Sequence, residues 1–506
     1  MENRIRILAT SDVHGCIYPY SYSDRSEADI GLARMKTLVD LLRDDSTLLL
    51  DNGDTLQGTP LQTYHFQQYP DEISPVTAAM RAMEYDYVNI GNHDFDYGEA
   101  ALRRHLDALN APCITGNVQA NGKPAFASYA VREIGGKKVA IFGITTHYLK
   151  NLHTNRTLRP FRIKDAFLSA KNTVETIRRL EKPDYVIGLY HGGFERDLVT
   201  GEATRELTGE DQAYQITREI PGIDVLITGH THVASCGKAF GTVYAGTGMY
   251  GGCLVCVDIY TDTGEIDARL IPNNAPADPA MMEPSKAEEE ECQKWLDTPI
   301  GHTSMDLTIT DQFQARFHKS QVVTFINQVM IEASGADLAG SSLFKDAVGF
   351  RPTITMRDLL STYKYSDTLA VKKITGAQLR TYLEHCAKYW SIDGGQIIVN
   401  PLYVSPKERP YRYDMVDGVE YTIRVSNDPG ERIISLTRNG EEVKDSDEFT
   451  ICLCKYRANG GGNFPFLREI PNVSEIHTDM RDLLLQKFKQ EPVIQFEPVN
   501  NITIIR

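Results

Sequence analysis

Short apolar runs alternate with amphipathic stretches over roughly the first 270 residues of the chain. The runs are rich in Val, Ile and Leu, which favours strands that are buried on both faces. We predict strands at 5–10, 48–51, 87–90, 139–145, 185–190 and 225–228. Helical periodicity is found at 31–42, 75–85, 98–110 and 163–180. The alternation of strands and helices predicts an α/β domain built in layers.

The pattern changes after residue 270. Residues 271–284 have the composition of a loop, and the acidic segment SKAEEEECQKWLD after them predicts a helix with a solvated, charged face. Further on, we predict helices at 320–334, 356–360 and 377–389, and strands at 419–425, 433–438 and 449–455. We therefore expect an α/β domain over 1–300, a linker helix within 301–335 and a smaller α+β domain over 336–506.

Composition and charge narrow the classes of function. Apolar residues make up 42% of the chain and charged residues 24%, as in ordinary globular proteins. The net charge of −15 disfavours binding to nucleic acid polymers or to anionic membranes, because such binding needs clustered Lys and Arg. An anionic small molecule remains a possible substrate where bound cations supply positive charge.

Sequence features also bear on the compartment. The segment MENRIRILATSDVHG lacks the pattern of a secretory signal, and no apolar run is long enough for a transmembrane helix. The nine cysteines are sparse and odd in number. Cys253 and Cys256 lie in a predicted strand and would face opposite sides of a sheet, which favours buried, reduced thiols over a metal or redox pair. We expect a cytoplasmic protein; the sequence leaves the oligomeric state open.

Five polar segments stand out, nearly all at the ends of predicted strands. They are Asp12-Val13-His14, Gly53-Asp54, Gly91-Asn92-His93-Asp94, His191 and Gly229-His230-Thr231-His232. Their oxygen and imidazole donors suit divalent transition metals. Each segment taken alone could be a coincidence or a histidine satisfied within the core, but five in this order favour a metal site. Ligand sites in α/β sheets lie at such strand ends.

The number of donors points to more than one ion. Asp12, His14, Asp54, Asn92, His191, His230 and His232 are too many for one ion of ordinary coordination. They suit two divalent ions that share a carboxylate, as in two-metal hydrolytic sites. Asp54 is the natural bridge, because its two oxygens can be divided between the ions. Mn, Zn, Fe, Co and Mg all accept such ligands, so the identity of the metal stays open.

These segments, in this order, resemble the calcineurin-like metallophosphoesterase superfamily. The rest of the chain extends the resemblance. The segments TITMRDLLSTYKYSDTLAVKKITGAQLRTYLEH, YRYDMVDGVEYTIRVSNDPGERI and YRANGGGNFP are similar to the C-terminal domain of the 5′-nucleotidase family, which includes 2′,3′-cyclic nucleotide phosphodiesterases. The resemblance covers nearly the whole chain. It implies a β-sandwich flanked by helices, followed by a smaller domain that binds the substrate.

The resemblance also implies roles for individual residues. One metal ion would be held by Asp12, His14, Asp54 and His232, and the other by Asp54, Asn92, His191 and His230. His93 would face the substrate phosphate, where it stabilises the transition state or protonates the leaving oxygen, and Asp96 would orient it. Asn92 would also lie beside the substrate. In the second domain, Tyr413 and Phe464 match by motif spacing the two aromatic rings that sandwich the base, although either ring could instead pack in a core.

We therefore expect a metal-dependent hydrolase of nucleotide phosphate esters that acts by attack of a metal-bound water. The reaction is that of a 5′-nucleotidase, of a 2′,3′-cyclic nucleotide 2′-phosphodiesterase/3′-nucleotidase, or of both. His232 resembles the cyclic phosphodiesterase branch, and Phe344 stands where 5′-nucleotidases have a phosphate-binding Arg. Rival hypotheses are a phosphoesterase acting on nucleotide sugars or dinucleotides and a non-catalytic nucleotide-binding protein. The base preference and the physiological substrate are left open.

Overall fold

The computed structural model describes residues 4–148, 158–204, 207–365, 367–405, 408–495 and 498–506. The chain divides into two compact units, Met1–Cys292 and Gln293–Arg506. The predicted division into 1–300, 301–335 and 336–506 differs from these units. The first boundary lies a few residues earlier in the structure, and the segment predicted as a linker packs within the second unit.

The first unit contains two mixed β-sheets that face each other. The strands of one sheet, in spatial order, are Ile266–Pro272, Cys253–Tyr260, Arg4–Thr10, Thr47–Asp51 and Tyr87–Val88. Those of the other are Ala234–Ala239, Thr242–Thr247, Val225–Thr228, Tyr185–His191, Lys137–Thr145 and Tyr129–Ile134. Ile7, Leu50, Ile187 and Ile227 belong to one buried apolar cluster that draws on both sheets. The predicted β-sandwich is therefore confirmed.

Small strands and helices complete the first unit. A three-stranded sheet is formed by Lys123–Pro124, Val118–Ala120 and Phe161–Ile163. The helices are Leu32–Leu42, Pro60–Gln68, Pro75–Met83, Gly98–Ala108, Ala166–Leu180, Ala213–Glu219 and Pro279–Met282, with 3₁₀ turns at His93–Phe95 and Glu283–Ser285. Helix Lys286–Leu296 begins in this unit and ends in the second. Helix Ala166–Leu180 is amphipathic, and it buries one face through Ala170, Val174 and Ile177. Asp165 caps this helix by accepting a hydrogen bond from the Leu168 N–H.

The acidic helix Lys286–Leu296 has the predicted solvated, charged face, with Lys286, Glu290, Glu291 and Lys294 exposed, but one of its acids is buried. Its Glu289 is only 5% exposed, not solvated. The Glu289 carboxylate accepts hydrogen bonds from the hydroxyl groups of Tyr20 and Tyr22, the latter at 2.7 Å. A buried carboxylate is tolerated when donors satisfy it. The sequence shows the charge of this segment but not the phenolic donors, which come from a distant part of the chain.

The second unit is an α+β fold with several small sheets. The central sheet has the order Asp414–Asp417, Leu338–Ser342, Glu448–Cys454, Leu369–Thr375 and Asn472–Ile476. A second, four-stranded sheet is formed by Glu441–Glu442, Ile433–Arg438, Glu420–Arg424 and Ile502–Ile505. Smaller sheets join Thr353–Thr355 with Pro299–Thr303 and Val493–Ile494, Leu307–Thr308 with Gly349–Phe350, and Trp390–Asp393 with Gln396–Val399.

Helices cover the sheets of this unit. They are Gln312–Phe317, Gln321–Ser334, Met356–Thr362, Gly376–Ala387, Lys455–Ala458, Pro465–Arg468 and Met480–Gln490, with 3₁₀ turns at Pro401–Tyr403 and Pro410–Arg412. Helix Gln321–Ser334, predicted as a linker, buries Val322, Phe325 and Met330 in the core of the unit. It ends at Gly335 with φ +67°, as predicted. Among the described helices, none is both long and apolar enough to cross a membrane.

Candidate metal centre

The strand ends of the first unit bring the predicted metal donors together. The strands that lead to them are Arg4–Thr10, Thr47–Asp51, Tyr87–Val88, Tyr185–His191 and Val225–Thr228. Within each sheet these neighbouring strands run parallel, so their carboxyl ends lie at the same edge. The loops that follow turn their donors toward one another, and these donors form two groups that share Asp54.

Backbone geometry at the donors is unusual. Asp12, His14, Asp54, His230 and His232 all have φ between +50° and +66°, the left-handed region that L-residues seldom adopt. Such conformations cost free energy and are concentrated at functional sites. Close packing adds to this constraint, because a Cβ at Gly91 would lie 2.2 Å from Asp54 Oδ1. Only glycine lets the loop that carries Gly91 approach the carboxylate of Asp54 so closely.

The first group consists of Asp12, His14, Asp54 and His232, whose donor atoms lie within 4.8 Å of one another. His14 Nδ1 donates to the Gln57 carbonyl at 2.8 Å, so in the neutral ring Nε2 carries a lone pair. That atom lies 3.0 Å from His232 Nε2, and His232 Nε2 lies 3.5 Å from Asp12 Oδ1. Lone pairs that converge in this way fit a cation held between them.

The second group consists of Asp54, His191 and His230, and its donor atoms meet the same limit of 4.8 Å. His191 Nδ1 donates to the Asn52 carbonyl at 2.8 Å, which turns Nε2 toward Asp54 Oδ2 at 3.2 Å. Both of these buried atoms lack a hydrogen-bond partner among the described residues. Asn92 joins the group through its Oδ1, which lies 2.7 Å from His230 Nδ1. An imidazole nitrogen and a carboxylate oxygen that are both buried and unsatisfied fit a divalent cation.

The donors perturb each other's ionisation. Burial raises the pKa of the Asp12 carboxyl. Burial would raise the pKa of Asp54 as well, but the positive charges of His191 and His93 outweigh it and hold that pKa well below its usual value. Burial would lower the pKa of His191, whereas the carboxylates of Asp54 and Asp12 raise it to about 10. Strongly perturbed groups in one small cluster are typical of functional sites.

His93 and Asp96 form the predicted dyad beside these donors. His93 Nδ1 lies 2.9 Å from Asp96 Oδ2, and the His93 side chain is 27% exposed, so it is accessible to a substrate. Burial would lower the pKa of His93, but the carboxylates of Asp96 and Asp54 raise it to about 9. These carboxylates favour the protonated ring, and its Nδ1–H is directed to Asp96. Tyr97 directly follows Asp96, and its ring stacks on the Phe66 ring with centroids 3.6 Å apart. This contact supports the turn that carries the dyad.

Models of two known protein families match the chain. The calcineurin-like phosphoesterase model matches residues 5–234, and the 5′-nucleotidase C-terminal domain model matches residues 299–469. The chain therefore combines a calcineurin-like phosphoesterase domain with a 5′-nucleotidase C-terminal domain. The predicted family and fold class are confirmed, as is the prediction of a hydrolytic enzyme. The family and the donor cluster together imply divalent metal ions.

Individual relatives are similar over 90% or more of this chain. The trifunctional nucleotide phosphoesterase protein YfkN of Bacillus subtilis is 25% identical over 99% of this chain, which spans only 39% of that relative's length. A 2′,3′-cyclic-nucleotide 2′-phosphodiesterase/3′-nucleotidase of Yersinia enterocolitica is 26% identical over 90% of this chain and 81% of its own. A solved Staphylococcus aureus structure, provisionally described as a 5′-nucleotidase and in complex with alpha-ketoglutarate, has a TM-score of 0.91 at 28% identity and covers 99% of this chain and 100% of its own.

In this phosphoesterase, two residues that support the site had no role in the sequence prediction. Asp94, within the quoted GNHD segment, accepts hydrogen bonds from the N–H groups of Asp54 and Gly91 at 2.9 and 2.8 Å and so joins two donor loops. The position of Asp94 within this motif could have identified it as a supporting residue. Glu210 lies 3.0 Å from His230, and no pattern in the sequence singles it out.

The predicted base clamp of the phosphoesterase is not formed by exposed rings. Tyr413 and Phe464 are both 0% exposed and belong to the core of the second unit. Tyr413 stacks on Tyr389 with centroids 5.1 Å apart, and the Arg457 guanidinium lies 3.8 Å from the Phe464 centroid. Both faces that a base would need are therefore occupied by protein groups. The alternative of core packing describes these rings in the structure.

A cationic cluster lies near Phe464 in the same unit. The His385 ring is 4.4 Å from the Phe464 ring. Burial, together with the positive charges of Lys388, Arg457 and Arg412, lowers the pKa of His385 to about 4. Arg412 Nε and His385 Nε2 are buried without a hydrogen-bond partner in the part of the chain that the structure describes. Unsatisfied donors of this kind favour an anionic or polar ligand.

Proposed function

We propose that this phosphoesterase hydrolyses phosphate esters of nucleotides with two divalent metal ions. The observation that carries the proposal is the pair of donor groups that share Asp54. Asp12, His14, Asp54 and His232 would hold one ion, and Asp54, Asn92, His191 and His230 the other. When bound, such ions supply Lewis acidity toward phosphoryl oxygens and a water of lowered pKa for attack on phosphorus. Mn, Zn, Fe, Co and Mg all remain candidates.

The chain's own residues would complete the reaction. Protonated His93 would donate from Nε2 to a phosphoryl oxygen or to the leaving oxygen, because its Nδ1–H is engaged by Asp96. The Asp96 carboxylate would keep the ring oriented and charged. Asn92 would lie beside the substrate phosphate. These groups act by position and electrostatics, so no covalent intermediate with the protein is required.

We propose that the second unit binds the rest of the nucleotide. Its supporting feature is the cluster of Lys388, Arg412 and His385. In this cluster, Arg412 Nε and His385 Nε2 are buried without a partner among the described residues, and the charges of Lys388 and Arg412 suit a negatively charged group. Tyr413 and Phe464 would take part in base stacking only after a rearrangement that frees a ring face.

The substrate class follows from the relatives named above, which act on nucleotides. We propose 5′-nucleotidase activity, 2′,3′-cyclic nucleotide 2′-phosphodiesterase/3′-nucleotidase activity, or both. A nucleotide sugar or a dinucleotide is the alternative substrate, and a non-catalytic nucleotide-binding role is the alternative class. The dyad of His93 and Asp96 speaks against the non-catalytic role, because neither side chain is needed to hold metal.

We also propose a reducing compartment, such as the cytoplasm. All nine cysteines are free thiols in the structure. Burial raises the pKa of Cys253 to about 11, and it also raises the pKa of Cys256. Such thiols are inert, which suits the predicted structural role of the pair.

The experiment is phosphate release by the purified protein supplemented with Mn²⁺. The substrates are the four 5′-monophosphates, the 3′-monophosphates, the 2′,3′-cyclic nucleotides and one nucleotide sugar. His93→Ala should abolish turnover, whereas His302→Ala, which alters an exposed histidine of the other unit, should leave it unchanged. Turnover of cyclic nucleotides alone would assign the phosphodiesterase branch. Metal binding without turnover of any substrate would favour the non-catalytic role.

A further inference from the structure

The carboxylate of Glu210 lies behind one of the proposed metal ligands. Glu210 Oε1 is 3.0 Å from His230 Nε2, and the other ring nitrogen, Nδ1, faces Asn92 Oδ1 at 2.7 Å. Both partners of the ring are acceptors, the carboxylate of Glu210 and the amide oxygen of Asn92. A cation between Nδ1 and Asn92 Oδ1 would require a lone pair on Nδ1, and the proton of the neutral ring would then lie on Nε2, where Glu210 accepts it. Glu210 thus favours the tautomer that ligation requires.

The other oriented imidazoles are held differently. His14 and His191 each donate from Nδ1 to a backbone carbonyl at 2.8 Å, that of Gln57 and Asn52 respectively. Carbonyls fix the ring but carry no net charge. The partner of His230 carries a full negative charge, which raises the basicity of the ligating nitrogen as well as orienting the ring.

The loop that carries Glu210 is anchored on both sides. The Glu210 carbonyl accepts from the Thr146 hydroxyl at 2.7 Å, and the Glu210 N–H donates to the Thr208 hydroxyl at 3.2 Å. The next residue, Asp211, accepts from the Gly193 N–H at 2.6 Å. Gly193 follows His191 closely in the chain, so the loop is tied to the segment that carries another ligand. The carboxylate is therefore held in place and does not belong to a free surface side chain.

We propose that Glu210 is a positioning residue that sets the affinity of the ion held by Asp54, Asn92, His191 and His230. This inference rests on the two-metal site of the proposed function. Glu210 orients His230 and increases its strength as a donor without contacting the ion. The ion held by the other donor group should be affected little, because the described contacts of Glu210 are with His230, Thr146, Thr208 and Tyr190 and not with that group.

The test is metal affinity rather than turnover. Metal-free protein is titrated with Zn²⁺ in competition with a chromophoric chelator, and thermal melting of the metal-free protein reports the fold. We expect two ions in the wild type. Glu210→Ala should weaken one of them by about 10- to 100-fold and leave the other unchanged. Glu210→Gln, which keeps an acceptor but loses the charge, should show a smaller loss.

A matched control is Glu195→Gln. Glu195 is a buried acid of the same region that accepts from the N–H groups of Tyr214 and Gln215 and does not contact His230 in the structure. Zinc affinity should be that of the wild type in this variant.

The inference is overturned if Glu210→Ala binds both ions as the wild type does, or if Glu195→Gln weakens the binding of one ion equally. It is also overturned if Glu210→Gln is as severe as His230→Ala, which would make Glu210 a direct ligand. A wild type that binds no Zn²⁺ would instead refute the two-metal proposal itself. Should Glu210→Ala fail to fold, Glu210→Gln and Glu210→Asp decide the outcome.

Discussion

The backbone N–H of His93 donates a 2.7 Å hydrogen bond to Asp54 Oδ1. The residue proposed to reach the substrate is therefore tied directly to the carboxylate that both donor groups share. Because Gly91 precedes it in the same loop and packs against Asp54, this loop cannot shift without moving the proposed bridge. The proposed dyad and the proposed metal donors are thus held together in one constellation, as positioning of a reacting group requires.

Replacing Asp96 with Asn should change the pH dependence of turnover. The carboxylates of Asp96 and Asp54 raise the pKa of His93 to about 9 against the effect of burial. Loss of one carboxylate lowers that pKa, so the protonated ring is lost at lower pH. The alkaline limb of the kcat–pH profile should move toward acid pH, and kcat at pH 8 should fall by about 10²-fold or more.

The control for this change is Asp96→Glu, which keeps the charge. It should retain the alkaline limb near its wild-type position even if kcat decreases. An unchanged limb in Asp96→Asn would show that Asp96 does not set the ionisation of His93.

Replacing Asp54 with Asn should remove both metal ions at once. An amide lacks the charge and the pair of equivalent oxygens that the two donor groups share. After dialysis, elemental analysis should find well under one ion per chain, and phosphate release should fall at least about 100-fold. Asp267→Asn, which alters an exposed acid on an edge strand, serves as the control. Two retained ions in Asp54→Asn would refute the role of Asp54 as a bridge.

Much of the donor set could be predicted from the sequence for a physical reason. A buried parallel strand leaves a recognisable apolar run, and a polar side chain directly after it has a defined place at the edge of the sheet. Asp54 and His191 could therefore be placed near each other although 137 residues separate them along the chain. The strand predicted at 225–228 has the same bounds in the structure.

Contacts between side chains of distant segments could not be predicted in this way. Glu289 has the sequence context of a solvated acid, yet two tyrosines from the start of the chain bury it. Glu210 lies in a loop without periodicity, and only the fold brings it to His230. Motif spacing singled out Tyr413 but carried no information on whether its ring is covered, and the ring is fully buried.

Replacing Tyr413 with Ala should destabilise the second unit more than it weakens nucleotide binding. The ring is fully buried and stacks on Tyr389, so its removal leaves a cavity that costs about 3–5 kcal/mol. The measurement is hydrogen exchange of the amides of this unit during chemical denaturation, with Leu402→Ala, at an exposed side chain, as the control. A tenfold higher KM with an unchanged free energy of unfolding would instead restore the base-clamp prediction.

Acidification should destabilise the first unit through His105. Burial lowers the pKa of His105 to about 4 in spite of the nearby Asp94 carboxylate, and Nδ1 lies 2.7 Å from the Thr77 hydroxyl. In the unfolded chain the pKa is about 6.5. The unfolded state therefore binds a proton first, and the free energy of unfolding should fall by up to about 3 kcal/mol between pH 6.5 and pH 4. In His105→Gln this contribution is absent. Equal pH slopes for metal-free wild type and variant would contradict the burial of a neutral imidazole at this position.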